Sequence, residues 1–248
     1  MEILIIVFFS SLVATLLSAM SGGGSSIVSL PIFLWAGIPL PLSIAAHKLC
    51  AAFWTPISAY NYLKDKKINW RFLLLFAAFG LIGSYFGVQF VLTINQELLK
   101  RIIGTIIFVF VIYTYFKKDF GLKEKQIKSK FKGAISYLVA IIMGFYESII
   151  GSGNGIAFTA LTYYTRGFDF IDALGYYFGI AFFWVTFAAI LYIQKGYYDF
   201  GIMGAAIIGS VIGSYCGSKY AKYKGNKFIR LTFITIGAIL GLKLILNI

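Results

Sequence analysis

The chain has 248 residues, of which 60% are hydrophobic and only 12% charged, with a mean hydropathy of +0.85. A soluble domain carries roughly 25% charge. This composition therefore excludes a soluble globular domain, a disordered chain, a coiled coil and a secreted disulfide scaffold, and it predicts an all-α integral membrane protein. The net charge of +13 would suit nucleic acid only if it were gathered on one binding face, so its placement decides its meaning.

In chain order, the first element is an apolar arm, Ile3–Met20. It ends in small residues as a signal peptide does, but Glu2 is the only charge before Ser21 and no basic stretch precedes the apolar run. A similar segment recurs at Gly133–Ile150, so the arm is expected to be part of the fold. A break of small residues follows, Ser21-Gly22-Gly23-Gly24-Ser25-Ser26, and then a short arm, Ile27–Ala36. Ten helical residues span about 15 Å, half of a ~30 Å hydrocarbon core. Three segments long enough to span come next: Leu42–Leu63, Phe72–Val91 and Leu99–Phe116. After a basic stretch the same parts return: the arm Gly133–Ile150, the break Gly151-Ser152-Gly153-Asn154-Gly155, the short arm Ile156–Thr165, and the segments Ile171–Ile193, Gly201–Ser218 and Phe228–Leu246.

Sliding the chain along itself by 130 residues aligns these parts without a gap. Ser18 meets Ser148, Gly23 meets Gly153, Gly37 meets Gly167, and Trp54 meets Trp184; Gly83-Ser84-Tyr85-Phe86-Gly87 meets Gly213-Ser214-Tyr215-Cys216-Gly217. The sequence thus reads as two repeats of one fold, 1–118 and 131–248, joined by a basic linker at 119–130.

The loops Lys64–Arg71, Lys117–Lys132 and Lys219–Arg230 carry +3, +5 and +5, together the whole net charge. By the positive-inside rule all three are expected on the cytoplasmic side of a plasma membrane, which makes the basic balance a matter of topology and leaves no nucleic-acid partner. Thr93–Leu98 is −1 and the stretch 195–199 is neutral, so both are expected outside. Equivalent loops then lie on opposite sides, and the repeats are predicted to be inverted, each a broken helical hairpin plus three transmembrane helices. Against this, Lys100 and Arg101 fall on the expected outer side, and the expected inner loop Arg166–Asp172 nets −1.

Inverted repeats with interrupted helices are a common transporter architecture. A helix broken inside lipid leaves backbone groups unpaired, which is tolerated where they line a cavity or bind something. Each break precedes a short helix, whose free N–H groups and positive dipole end suit an anion. The candidate binding residues are therefore Gly22, Gly23, Gly24, Ser25 and Ser26 in the first half and Gly151, Ser152, Gly153, Asn154 and Gly155 in the second. The other reading of these small residues is tight helix packing.

Lys48 lies about seven residues into its helix, on a stripe with Ala45, Ala52, Thr55 and Ala59. It either faces the bundle interior or snorkels to the headgroups. Its neighbour His47 is either a hydrogen-bonding residue or a proton carrier. Glu147 sits one turn before Gly151, where it either relays protons or pairs with Lys48. Trp54 and Trp184 read as packing residues, and Cys50 and Cys216 as small hydrophobes. The chain has no paired carboxylates, no HExxH, no metal-ligand cluster and one His, so neither enzyme, metal nor cofactor is expected. A membrane-embedded enzyme and a non-transporting anchor subunit are the competing readings, and neither accounts for two matched breaks.

The pattern Ser21-Gly22-Gly23-Gly24, Pro31, Gly37 and Ala46-His47-Lys48-Leu49, with a second glycine-rich element after an acidic residue, resembles the TauE/SafE sulfite exporter family over nearly the whole chain. It is most similar to the YfcA-like branch, although His47 stands where that branch favours Asn and Tyr146-Glu147-Ser148 replaces its Tyr-Asp-Gly. The resemblance implies a membrane permease for a small sulfur-containing anion such as sulfite or an organosulfonate. Its partners would be that anion, the lipid bilayer, protons as a coupling ion and a second copy in a homo-oligomer.

Overall fold

The computed structural model describes residues 2–90, 101, 105, 108–109, 111–116, 119–125, 127 and 130–246. All regular structure among them is helical. The helices with complete bounds are α1 (Glu2–Ser21), α2 (Ser25–Trp35), α3 (Leu40–Leu63), α4 (Trp70–Phe90), α5 (Lys130–Ile149), α6 (Asn154–Thr165), α7 (Phe170–Gln194), α8 (Phe200–Lys224) and α9 (Asn226–Leu246). The loop Thr93–Leu98 and Lys100 lie outside the described residues, as do part of the predicted segment Leu99–Phe116 and residues 126, 128 and 129 of the linker.

Helices α1, α4, α7 and α8 are long and apolar enough to cross a bilayer. At 24 residues, about 36 Å, α3 has the length as well, but its buried face carries Ser43, His47, Lys48, Thr55, Ser58 and Asn61. Side chains such as Phe9, Ile142 and Ile208 stand exposed on the outer helix faces, as a lipid-facing surface requires. Among the described residues Trp35, Phe200 and Tyr223, at helix ends, are the most exposed aromatics, where amphipathic rings meet headgroups. The chain is an all-α membrane protein.

The 130-residue offset carries α2 onto α6, α3 onto α7 and α4 onto α8, with starts that agree within a residue. Packing follows the same exchange: α1 lies on α8 as α5 lies on α4, and α3 and α7 cross each other at the centre. Glycines set both outer contacts. A Cβ on Gly83 would fall 1.8 Å from Ile141 O, and one on its mate Gly213 would fall 2.1 Å from Leu12 O. The five-residue block shared by the two halves is thus a small-xxx-small ridge that brings backbones together.

The basic loops gather at one end of the bundle. Lys66 contacts Glu124 at 3.0 Å and Asp172 at 2.9 Å, Lys222 reaches Asp65 at 2.8 Å, Lys125 N–H donates to Gly167 O, and Asn226 Nδ2 donates to Leu122 O. At the other end Lys195 Nζ donates to Gln89 Oε1. Lys66 follows the C-terminus of α3 and Asp172 opens α7, so these two matched helices run antiparallel. The acidic loop Arg166–Asp172 sits among the basic ones because Asp172 is their counter-ion. Partial burial lowers the proton affinity of Lys66, but its bonds to Asp172 and Glu124 outweigh that and hold it above its ordinary value. Its ammonium in turn holds the Glu124 carboxyl below the usual range.

Candidate functional site

The two breaks meet at the centre of the bundle. α1 ends at Ser21 and α5 at Ile149, and the chain restarts as α2 and α6 behind Gly24 and Gly153, both left-handed, with φ of 104° and 77°. That conformation costs a β-carbon-bearing residue roughly 1–2 kcal/mol, which is why glycine stands at both restarts. The breaks also touch backbone to backbone. A Cβ on Gly23 would lie 3.1 Å from Gly153 Cα, and one on Gly155 would lie 1.7 Å from Gly22 O. The Ser26 and Ser152 hydroxyls are hydrogen-bonded across the junction. Ser25 and Ser26 belong to the first turn of α2, which starts two residues earlier than the sequence suggests, because Gly24 already supplies the left-handed cap.

A cavity of about 20 Å³ lies against this junction, room for about one water. Helix α2 presents its N-terminus there through Gly24, Ser25 and Ser26, whose first N–H groups have no partner within the helix. Helix α3 contributes His47, Ala51 and Thr55, with Trp54; α7 contributes Tyr177, Ala181 and Val185. Residues 47, 51 and 55 plus 130 are 177, 181 and 185, so one stripe at helical spacing is used twice. Ser18, Gly23, Glu147, Ile150 and Gly151 complete the wall.

Glu147 is the organising charge. Its Oε2 accepts from Asn154 Nδ2 and Tyr177 Oη, each at 2.8 Å. Its Oε1 lies 3.7 Å from Lys48 Nζ, and the ammonium also donates to the Glu147 main-chain carbonyl. Gly151 makes room for this carboxylate, since a Cβ there would sit 2.3 Å from Oε1. Both charged side chains are buried, 1% and 8% exposed. His47 Nδ1 is held by Ser29 Oγ at 3.0 Å, and Tyr146 Oη donates to Ser152 O at 2.6 Å.

Of the residues singled out from the sequence, Gly23, Gly24, Ser25, Ser26, His47, Glu147 and Gly151 line the cavity. Gly22, Ser152, Gly153, Asn154 and Gly155 build the junction behind it. Lys48 does not reach the wall, being engaged by Glu147; the cavity-facing stripe of α3 is that of His47. Asn154, which interrupts the second glycine cluster, opens α6 and holds Glu147. Trp54, which the sequence reads as packing, lines the cavity too, as do Thr55 and Tyr177, which were not among the candidate binding residues. The 130-residue pairing of His47 with Tyr177 was the available signal. Among the described residues, Glu124, Asp169 and Asp172 are the acidic group close enough to share a cation, within 4.8 Å, but Lys66 already supplies the positive charge there.

The family model described as Sulfite exporter TauE/SafE matches residues 7–244. A "Probable membrane transporter protein" of Haemophilus influenzae is 21% identical, with 98% of this chain and 95% of the relative covered. The Escherichia coli K12 "Probable membrane transporter protein YfcA" is 22% identical over 97% and 88%, and Bacillus subtilis "Probable membrane transporter protein YdhB" 23% over 98% and 100%. No solved structure matches the chain.

Proposed function

The chain belongs to the sulfite exporter TauE/SafE family, a membrane transporter family, and we propose that it is a secondary transporter of a small sulfur-containing anion such as sulfite or an organosulfonate. The observation that carries this reading is the buried cavity at the meeting point of two helix breaks, with the N-terminus of α2 in its wall. Free N–H groups and the positive end of a helix dipole favour an anion there. Glu147 shares the cavity, and its charge opposes that of an anion unless Lys48 or a proton offsets it; proton coupling through Glu147 or His47 follows from this arrangement. The two halves, 1–118 and 131–248, act as inverted repeats that rock about the junction, with the basic loops facing the cytoplasm across a plasma membrane.

Radiolabelled sulfite flux into proteoliposomes holding the purified chain tests the reading, with a pH-sensitive dye inside to follow protons. Saturable flux competed by organosulfonates is expected. Flux of sulfite and of organosulfonates no greater than in empty liposomes would refute the anion assignment, and sulfite flux without any proton movement would refute the coupling.

A further inference from the structure

Most side-chain donors around the cavity are already engaged. Tyr177 Oη donates to Glu147, Thr55 Oγ1 to Ala51 O, and the Ser26 hydroxyl is paired with Ser152. Trp54 differs. Its ring lines the cavity and is 4% exposed, yet its Nε1–H has no hydrogen-bond partner. The matched residue of the other half shows what a purely structural indole does in this fold: Trp184 Nε1 donates to Ala77 O at 2.9 Å. Buried N–H groups are almost always paired, and each exception calls for an explanation. The Trp54 ring is also fixed in place, edge-on to Phe178 with centroids 5.3 Å apart, so rotation to another partner is opposed by packing.

We propose that the indole N–H of Trp54 donates a hydrogen bond to an oxygen of the transported oxyanion, which makes Trp54 a substrate-binding residue supplied by the first half alone. This rests on the reading of the cavity as the anion site. An indole offers one donor and no acceptor, so it can hold only a hydrogen-bond acceptor such as an oxyanion oxygen. Together with the N–H groups of the α2 N-terminus, it gives the anion donors from α2 and α3, while α5 and α7 face it with Glu147 and Tyr177. A compact oxyanion, whose oxygens are acceptors, is the ligand class these donors serve.

The test uses the whole chain with sulfite as the probe. The four tryptophans give four indole signals in a 15N-labelled sample, and Trp54→Phe identifies one of them. Sulfite is expected to shift the Trp54 indole saturably and to leave that of Trp184 in place, while Trp54→Phe raises the KM for sulfite flux roughly tenfold, as loss of a hydrogen bond to a charged group does, with Vmax largely kept. Saturable sulfite flux in the wild type with a stationary Trp54 signal would overturn the assignment, and so would an unchanged KM in Trp54→Phe. No saturable sulfite response in either flux or spectrum would instead defeat the anion reading of the cavity, and the Trp54 role with it. If Trp54→Phe does not fold, benzothienylalanine at position 54 keeps the bicyclic shape without the N–H, and the same KM criterion applies.

Discussion

Neutralising one member of the Lys48–Glu147 pair is expected to destabilise the chain far more than neutralising both. The ammonium and Oε1 are 3.7 Å apart, and neither side chain is more than 8% exposed, so a charge left alone there is largely cut off from solvent. Breaking a buried pair on one side costs about 3–5 kcal/mol, whereas replacing both partners is often neutral. At 2–4 °C per kcal/mol for a chain of this size, either single change lowers Tm by roughly 6–20 °C. The two singles should differ. After Lys48→Met, Glu147 still accepts from Asn154 and Tyr177; after Glu147→Gln, the Lys48 ammonium keeps the main-chain carbonyl and an amide oxygen but has lost its counter-charge. Lys48→Met should therefore fall at the lower end of the range and Glu147→Gln at the upper end. Melting in detergent, followed by fluorescence-detected size exclusion, measures all four members of the cycle. Singles within about 2 °C of wild type, or a double mutant less stable than both singles, would refute the reasoning.

The remaining expectations concern packing, orientation and the basic clasp. Gly155→Ala places a methyl 1.7 Å from Gly22 O and is expected to abolish sulfite flux while the chain still inserts. Gly204→Ala, with nothing within 4 Å of the new Cβ, should leave flux unchanged and raise stability by up to about 1 kcal/mol; equal flux in the two variants would remove the junction from the transport mechanism. In a Cys216→Ala background, Lys125→Cys should label only from the cytoplasmic face of oriented vesicles and Tyr198→Cys only from the opposite face, and labelling of both from one side would end the inverted arrangement. The Glu124 carboxyl is depressed by Lys66, so its stabilisation is full above the ordinary value of 4.5 and is lost as pH falls through the lower folded value. For so exposed a pair this is under about 1 kcal/mol, and Glu124→Gln should narrow the gap in Tm between pH 7 and pH 3 by no more than a few degrees.

Much of the architecture could be read before the fold was seen, because duplication repeats its own physics. The breaks at Gly22–Gly24 and Gly151–Gly153 were visible as small residues between apolar arms, and the paired Gly83 and Gly213 blocks as a shared offset. What each glycine does was less visible. Those of the breaks hold left-handed turns and backbone contacts, while Gly83 and Gly213 only seat α4 on α5 and α8 on α1; composition does not separate these uses. Lys48 shows a second limit. Its depth in α3 follows from counting residues, but its direction depends on what α5 offers, and Glu147 is 99 positions away. Trp54 and Trp184 look identical in the alignment, yet only the indole of Trp184 meets a carbonyl of another helix.

That difference bears on how two halves with matching elements could carry a directional site. The backbone features recur on both sides of the junction: two left-handed glycine restarts, two short helices, and one cavity stripe drawn from 47, 51, 55 and again from 177, 181, 185. The side-chain chemistry does not recur. Lys48 is matched by Phe178, Glu147 by Leu17, and His47 by Tyr177. Phe178 has become the ring that fixes Trp54, and Tyr177 the hydroxyl that holds Glu147. A symmetric backbone can support two mirrored conformations of nearly equal energy, as alternating access requires. The unmatched charges then bias the cavity: donors from α2 and α3 on one side, a carboxylate from α5 on the other. On the proposed reading, an anion would meet one polar gradient whichever way the cavity opened, because the gradient belongs to side chains that only one half carries.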